Sequence, residues 1–192
     1  MSHRKNTPQQ VRIIGGKYKG RKLRFQGDQS LRPTLGRTRE ALFNWLRPHL
    51  FSAQVLDAFA GSGALGFEAL SHGAAHITLL DNNSHTHASL QASAADLDAT
   101  EHCHILKTDT ANYLRTCKQA FDIVFLDPPF DEPDLLRTTL QTLLQRQLVR
   151  HIIYAEAQSI DTLTTLANDF QLTLVKRTKS GDTVAGLLEL SN

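Results

Sequence analysis

The chain has 192 residues, room for one domain of ordinary size, and its 41% hydrophobic and 21% charged residues are the balance of a soluble globular protein. No apolar run nears the ~20 residues needed to span a bilayer, the start MSHRKNTPQQ lacks the apolar stretch of a secretory leader, and Cys103 and Cys117 are the only cysteines, so a cytoplasmic protein without disulfides is expected. Net charge is +2, but residues 1–50 hold twelve Lys or Arg against two acids, whereas residues 51–192 hold nine against seventeen, which describes a basic arm on an acidic body.

In chain order, Val11–Phe25 has β-rich ends around Gly15, Gly16 and Gly20 and predicts a small hairpin or extended arm. Arg32-Pro33-Thr34 leads into a helix over Arg37–Leu46, with Pro33 blocking helix before it and Thr34 as its cap. Ala41, Leu42, Trp45 and Leu46 recur at helical spacing and face the body. Residues 1–50 thus read as a basic arm and helix, an extension of the same domain as residues 51–192.

From residue 54 apolar strands alternate with helices. Strands are predicted over Gln54–Ala58, His76–Asp81, His104–Lys107, Asp122–Asp127, His151–Glu156, Leu172–Arg177 and Val184–Leu190, and helices over Ala64–His72, Ser84–Leu97, Ala111–Lys118, Pro133–Gln147 and Ile160–Asp169. This order implies βαβ units and a parallel sheet covered on both faces. The last two strands are separated only by a short stretch carrying Ser180-Gly181-Asp182, so they form an antiparallel hairpin. The expected fold is α/β and Rossmann-like: seven strands, one reversed near the sheet's end, with ligands beyond the strands' carboxyl ends.

Gly61-Ser62-Gly63-Ala64-Leu65-Gly66 follows the first strand of the body and opens a helix, matching the G-x-G-x-x-G fingerprint. Asp81, twenty positions after Gly61 at the end of the next strand, suits ribose hydroxyls, whether they belong to NAD or to S-adenosylmethionine. Asp57, four residues before Gly61, favours the second cofactor: a carboxylate there repels a pyrophosphate and attracts an ammonium and a sulfonium. Asp109 ends the third strand, where an acid either accepts from an adenine amino group or caps the next helix.

The fourth strand runs into Asp127-Pro128-Pro129-Phe130. Two prolines fix φ twice and remove two backbone donors, leaving a stiff loop with free carbonyls. An exocyclic amine on a base has its lone pair delocalised into the ring. The Asp127 carboxylate and the Pro128 carbonyl would each take one N–H and turn that lone pair toward a methyl sulfonium, while Phe130 stacks on the base. A base buried in a helix would have to be flipped out to reach this loop.

Together VRIIGGKYKGRKL, RPT, TREALFNWL, LDAFAGSGALGFEALSHGA and FLDPPF resemble the RsmD family of small-subunit ribosomal RNA guanine-N2 methyltransferases, over essentially the whole chain. The resemblance implies a class I methyltransferase using S-adenosylmethionine, with the small-subunit ribosomal RNA, free or assembled, as partner, and a monomer. It implies cofactor contacts from Asp57, Phe59, Gly61, Gly63, Asp81, Asn82, Asp109 and Thr110, and catalytic contacts from Asp127, Pro128 and Phe130. Arg32, Thr34 and Arg39 match the family's N-terminal signature and would lie near the substrate entrance. Ala58 stands where such proteins often have Leu, and Asp81 replaces a longer Glu. On the arm, Arg12, Lys17, Lys19, Arg21, Lys22 and Arg24 alternate with small or apolar residues and suit RNA phosphates, as would Arg32 and Arg39.

His102-Cys103-His104 and His85-x-His87 lack the four-ligand spacing of structural zinc, and no metal is expected. Three other readings are an amino methyltransferase of DNA bases or a protein amide, an NAD-dependent oxidoreductase, and a non-catalytic RNA-binding assembly factor. The N-terminal signature disfavours the first, and the chain lacks room for a DNA-recognition domain. Asp57 and the Asp-Pro-Pro-Phe loop disfavour the second, and the intact set of motifs disfavours the third.

Overall fold

The computed structural model describes residues 9–25, 36–129, 132–181 and 183–191. Arg32, Pro33, Thr34, Phe130 and the turn residue Asp182, all singled out above, lie outside the described residues.

The arm is a two-stranded antiparallel ribbon, β1 (Gln9–Arg12) and β2 (Lys22–Phe25), with Val11 opposite Leu23 and Arg12 opposite Lys22. Strand alternation puts Val11, Leu23 and Phe25 into the core and leaves Arg12, Lys22 and Arg24 in solvent. Helix α1 (Gly36–Leu50) follows and runs one turn past the predicted Leu46. It continues through Pro48, whose missing N–H falls on the exposed side of the last turn.

The body alternates as expected: β3 (Gln54–Asp57), α2 (Ala64–Ser71), β4 (His76–Asp81), α3 (Ser84–Asp96), β5 (Cys103–Lys107), α4 (Thr110–Thr116), β6 (Phe121–Leu126), α5 (Pro133–Gln145), β7 (Val149–Ala157), α6 (Ile160–Asp169), β8 (Leu172–Ser180) and β9 (Thr183–Leu190). Seven strands form one sheet in the order β5-β4-β3-β6-β7-β9-β8. The β3, β4, β5, β6 and β7 pairings are parallel, and β9 lies antiparallel between β7 and β8. The reversed strand is therefore the last one, inserted inside the edge strand before it.

Both faces of the sheet are covered. Val55, Ile77, Leu79, Ile123, Phe125, Ile152 and Tyr154 point to a core shared with α1, α2, α3 and the arm. Leu56, Leu80, Val124, Leu126, Ile153 and Ala155 point to a second core with α4, α5 and α6. No helix among the described residues is long and apolar enough to cross a membrane.

Candidate active site

Strand order, not strand direction, reverses at β3: the chain steps from β3 to β4 and β5 on one side, while β6 and β7 are added in parallel on the other. That switch point leaves a crevice at the strands' carboxyl ends. Four acids line it. Period-two alternation places Asp57 after Val55, Asp81 after Leu79, Asp127 after Phe125 and Glu156 after Tyr154, all toward the α1–α2–α3 face. The strands β4-β3-β6-β7 are consecutive in the sheet, so the four acids run across about 14 Å at ~4.8 Å per strand.

The glycine turn is held from both sides. Gly61 and Gly63 have φ of 49° and 74°, in the left-handed region that suits glycine. A Cβ on Gly63 would stand 2.6 Å from Phe67 and 2.7 Å from Leu90, so this residue also lets α2 and α3 close on the turn. Asp81 accepts from Gly61 N–H at 3.2 Å with one oxygen and from Asn83 N–H at 2.8 Å with the other. Asp57 accepts from Gly66 N–H at 3.0 Å, inside the first turn of α2.

Asp57 is 2% exposed, and no ion pair among the described residues reaches it. Burial pushes its carboxyl up to about 7; the Gly66 N–H opposes the rise and the Asp81 charge adds to it. Burial also raises Asp81, against the N–H bonds from Asn83 and Gly61. Asp57, with no cation among the causes of its shift, beside Asp81, which has His87 nearby, fits a cationic ligand. The pair does not fit a pyrophosphate.

The other predicted cofactor residues hold the turn's surroundings. Thr110 is buried and its hydroxyl donates to the Ala58 carbonyl, pinning α4 to the segment after β3. Asp109 is exposed and caps α4 by accepting from Asn112 N–H at 3.2 Å. Phe59 is half-buried against the second core, and Asn82 is exposed beyond β4. Asp127 is half-buried, Pro128 buried and Pro129 exposed just beyond the end of β6.

Arg39 corrects an expectation. Predicted as an RNA contact, it is 4% exposed under the arm: one Nη donates to the Arg12 carbonyl at 3.1 Å, and Nε and the other Nη have no hydrogen-bond partner among the described residues. Burial lowers its pKa, opposed by the nearby Glu68 charge. A side chain so placed cannot reach a phosphate on the outside. By contrast Arg12, Lys17, Lys19, Arg21, Lys22 and Arg24 are exposed. Arg21 also donates to the Asp96 carbonyl at the end of α3, and the Lys17 ammonium sits 4.9 Å over the Tyr18 ring.

Sequence reading missed what fastens the arm. Glu68, fully buried on α2, accepts from Ile14 N–H at 2.9 Å and Gly15 N–H at 2.8 Å and lies 3.3 Å from His72. Ser71 Oγ donates to the Gly15 carbonyl and accepts from Tyr18 N–H, and the Ser71 carbonyl accepts from Lys17 N–H. The signal was an acid inside the otherwise apolar run ALGFEAL. It also missed Glu156 and Tyr154, whose hydroxyl donates to Glu156 Oε1 at 2.6 Å. As for the histidines, His102 Nδ1 is 3.0 Å from the Ala75 carbonyl, and burial pushes the Cys103 thiol up to about 12.

A sheet of this strand order with a glycine turn after β3, the strand at its switch point, is the class I methyltransferase fold. Magnesium protoporphyrin IX methyltransferase from Synechocystis, solved with bound SAM, shares that fold at a TM-score of 0.67 and 16% identity, over 81% of this chain and 79% of that one. The family model described as Conserved hypothetical protein 95 matches residues 11–189, and the chain belongs to that family, the RsmD family. Ribosomal RNA small subunit methyltransferase D of Escherichia coli (strain K12) is 39% identical over 165 residues, 85% of this chain and 82% of the relative. The solved structure of yhhF from Escherichia coli superposes with a TM-score of 0.83 at 36% identity, covering 95% of this chain and 98% of that one.

Proposed function

We propose that this chain, acting as a cytoplasmic monomer, transfers a methyl group from S-adenosylmethionine to the exocyclic N2 amine of a guanine in small-subunit ribosomal RNA. The observation that carries the reading is the placement of Asp127-Pro128 at the tip of β6, beside the β3 turn that holds Asp57 and Gly61. The name carried by the Escherichia coli relative supports the substrate class.

When bound, S-adenosylmethionine supplies an electrophilic methyl on a sulfonium. Asp57 offers its negative charge to the cofactor's cationic end, and Asp81 offers an acceptor to the ribose. Asp109 and Asn82 would hold the cofactor at its adenine side, with Phe59 and Thr110 shaping the wall. Asp127 and the Pro128 carbonyl accept the two N–H bonds of the amine, which frees its lone pair and favours the positive charge that develops on nitrogen. Phe130 stacks on the base. Asp127 then accepts the proton that the methylated amine sheds.

Arg12, Lys17, Lys19, Arg21, Lys22 and Arg24 contact phosphates on the arm's outer side, and Arg32, on its sequence alone, is assigned the same role. These contacts position the RNA without naming the nucleotide. The test is incubation with tritiated S-adenosylmethionine and small subunits from cells lacking the related activity, with Asp127→Ala beside it. Label in N2-methylguanosine, lost in the variant, is the expected result. Label in another nucleoside, or none with cofactor binding intact, overturns the substrate.

A further inference from the structure

Nine Lys or Arg stand among residues 51–192, and three of them, Lys176, Arg177 and Lys179, crowd into the end of β8. No acid falls between Asp169 and Asp182, so this stretch is a cationic patch on an otherwise acidic body. All three side chains are exposed, and among the described residues none enters an ion pair. Elsewhere on the body Arg137 pairs with Asp169 and Arg150 with Asp122, while Arg115 and Arg146 donate to Asn112 and to the Leu114 carbonyl.

Topology carries the patch to the crevice. Strand β8 is antiparallel to β9, which is antiparallel to β7, so β8 runs the same way as the strands bearing the site. Its carboxyl end therefore lies on the crevice side. Register sets the height: Glu156, Ala185 and Thr178 form one row, and Ala157, Val184 and Lys179 form the next row outward. Asp127 follows Leu126, which pairs with Ala155, so Asp127 shares the row of Thr178, three strands away. At ~4.8 Å per strand that is about 14 Å. Val175 is an extra residue between Leu174, opposite Leu188, and Lys176, opposite Leu187. Such a bulge switches the alternation of side chains. It turns Lys176 to the face of Leu187 and Tyr154 and leaves Arg177 and Lys179 on the other, so cations border the crevice on both faces of the sheet's edge.

The arm lies on the other side of Asp127. It is fastened to Glu68 and Ser71 on α2 and to Asp96 at the end of α3, helices that pack on β3, β4 and β5, whereas α1 packs on β8. Resting on the RNA-methylation reading, we infer that Lys176, Arg177 and Lys179 are a second contact for RNA phosphates, holding the backbone on one flank of the target base while the arm holds the other. An acidic body repels a polyanion, and two cationic margins offset that repulsion where the RNA crosses the crevice. Cations on an edge strand also deter pairing with another chain. That use favours no position along β8, yet residues 172–175 carry none.

The test is the salt dependence of binding to small-subunit ribosomal RNA from cells lacking the related activity, with the full-length protein and its Lys176→Gln/Arg177→Gln/Lys179→Gln variant. Loss of three phosphate contacts should flatten the slope of log affinity against log salt by roughly 2.1 to 2.7. Between about 50 and 200 mM salt the wild type then loses about 20- to 40-fold more affinity than the variant. Exchanging Lys for Arg and Arg for Lys at the same three positions keeps the charges and should keep the wild-type slope. A glutamine variant with the wild-type slope overturns the inference, and if that variant also self-associates, the cations protect the edge instead. The same flattening per charge in Arg115→Gln/Lys118→Gln, two exposed cations on α4 and just beyond it, overturns it too, because net charge alone would then be responsible. Should the triple variant not fold, Lys179→Gln alone is expected to flatten the slope by about 0.7 to 0.9, and no change overturns the inference. Wild-type affinity that ignores salt, or no wild-type label in RNA, removes the RNA reading itself; normal label with a slope that depends on the arm and not on β8 removes the second contact alone.

Discussion

If Asp57 holds the cationic end of S-adenosylmethionine, cofactor affinity must depend on pH in a way that Asp57→Asn abolishes. The carboxyl titrates near 7 in the free protein because it is buried and lacks a cation. At pH 6 about one molecule in eleven is ionised, and at pH 7.5 about three in four, so affinity rises about eightfold over that interval if the charged form binds. The cofactor's own amine, with a pKa of about 7.7–8.0, loses about a quarter to two fifths of its charge by pH 7.5, which trims the observed rise to about five- to sixfold. Isothermal titration calorimetry in buffers of differing ionisation enthalpy should also record proton release at pH 6. The free protein carries the opposite sign. An acid whose folded pKa lies above its unfolded value binds more protons when folded, so its stability contribution is full below about 3.8 and is lost as pH rises toward 7. The upper bound is on the order of 4 kcal/mol. Asp57→Asn should therefore melt higher than the wild type at pH 8 and bind cofactor weakly at every pH. Equal pH slopes of affinity in the two proteins would refute the assignment.

Three further outcomes are expected. Glu68→Ala leaves Ile14 and Gly15 N–H without acceptors and Arg39 without its nearby charge; it should cost about 3 kcal/mol by denaturant titration and strip hydrogen-exchange protection from those two amides. Gly63→Ala forces φ of 74° on an alanine and drives its Cβ into Phe67 and Leu90, so at least ~2 kcal/mol of stability and most cofactor binding should go together; a wild-type melting temperature would contradict the packing. Neutralising Lys17, Lys19, Lys22 and Arg24 removes four exposed charges, and the slope of log affinity for RNA against log salt should flatten by roughly 2.8 to 3.6, while a slope equal to wild type would place the RNA elsewhere.

Local pattern in the sequence determines the strand–helix alternation, the glycine turn, the stiff Asp-Pro-Pro loop and the alternating charge of the arm. Each depends on neighbours a few residues apart: period two or 3.6, positive φ at Gly61 and Gly63, fixed φ at Pro128 and Pro129. Strand ends were less legible. The strand before the final turn runs on to Ser180, and the first strand stops at Asp57, because ladder partners decide where a strand ends. Only the tertiary structure put four acids from four strands on one face of one crevice, since sheet order and register are set by packing between segments up to a hundred residues apart. It alone decided that Arg39 lies inside and Lys17 outside, although both are cations in the same basic stretch. Burial depends on what α2 and the arm do together, with Glu68 reaching Ile14 and Gly15 across more than fifty residues. No local period records such a contact.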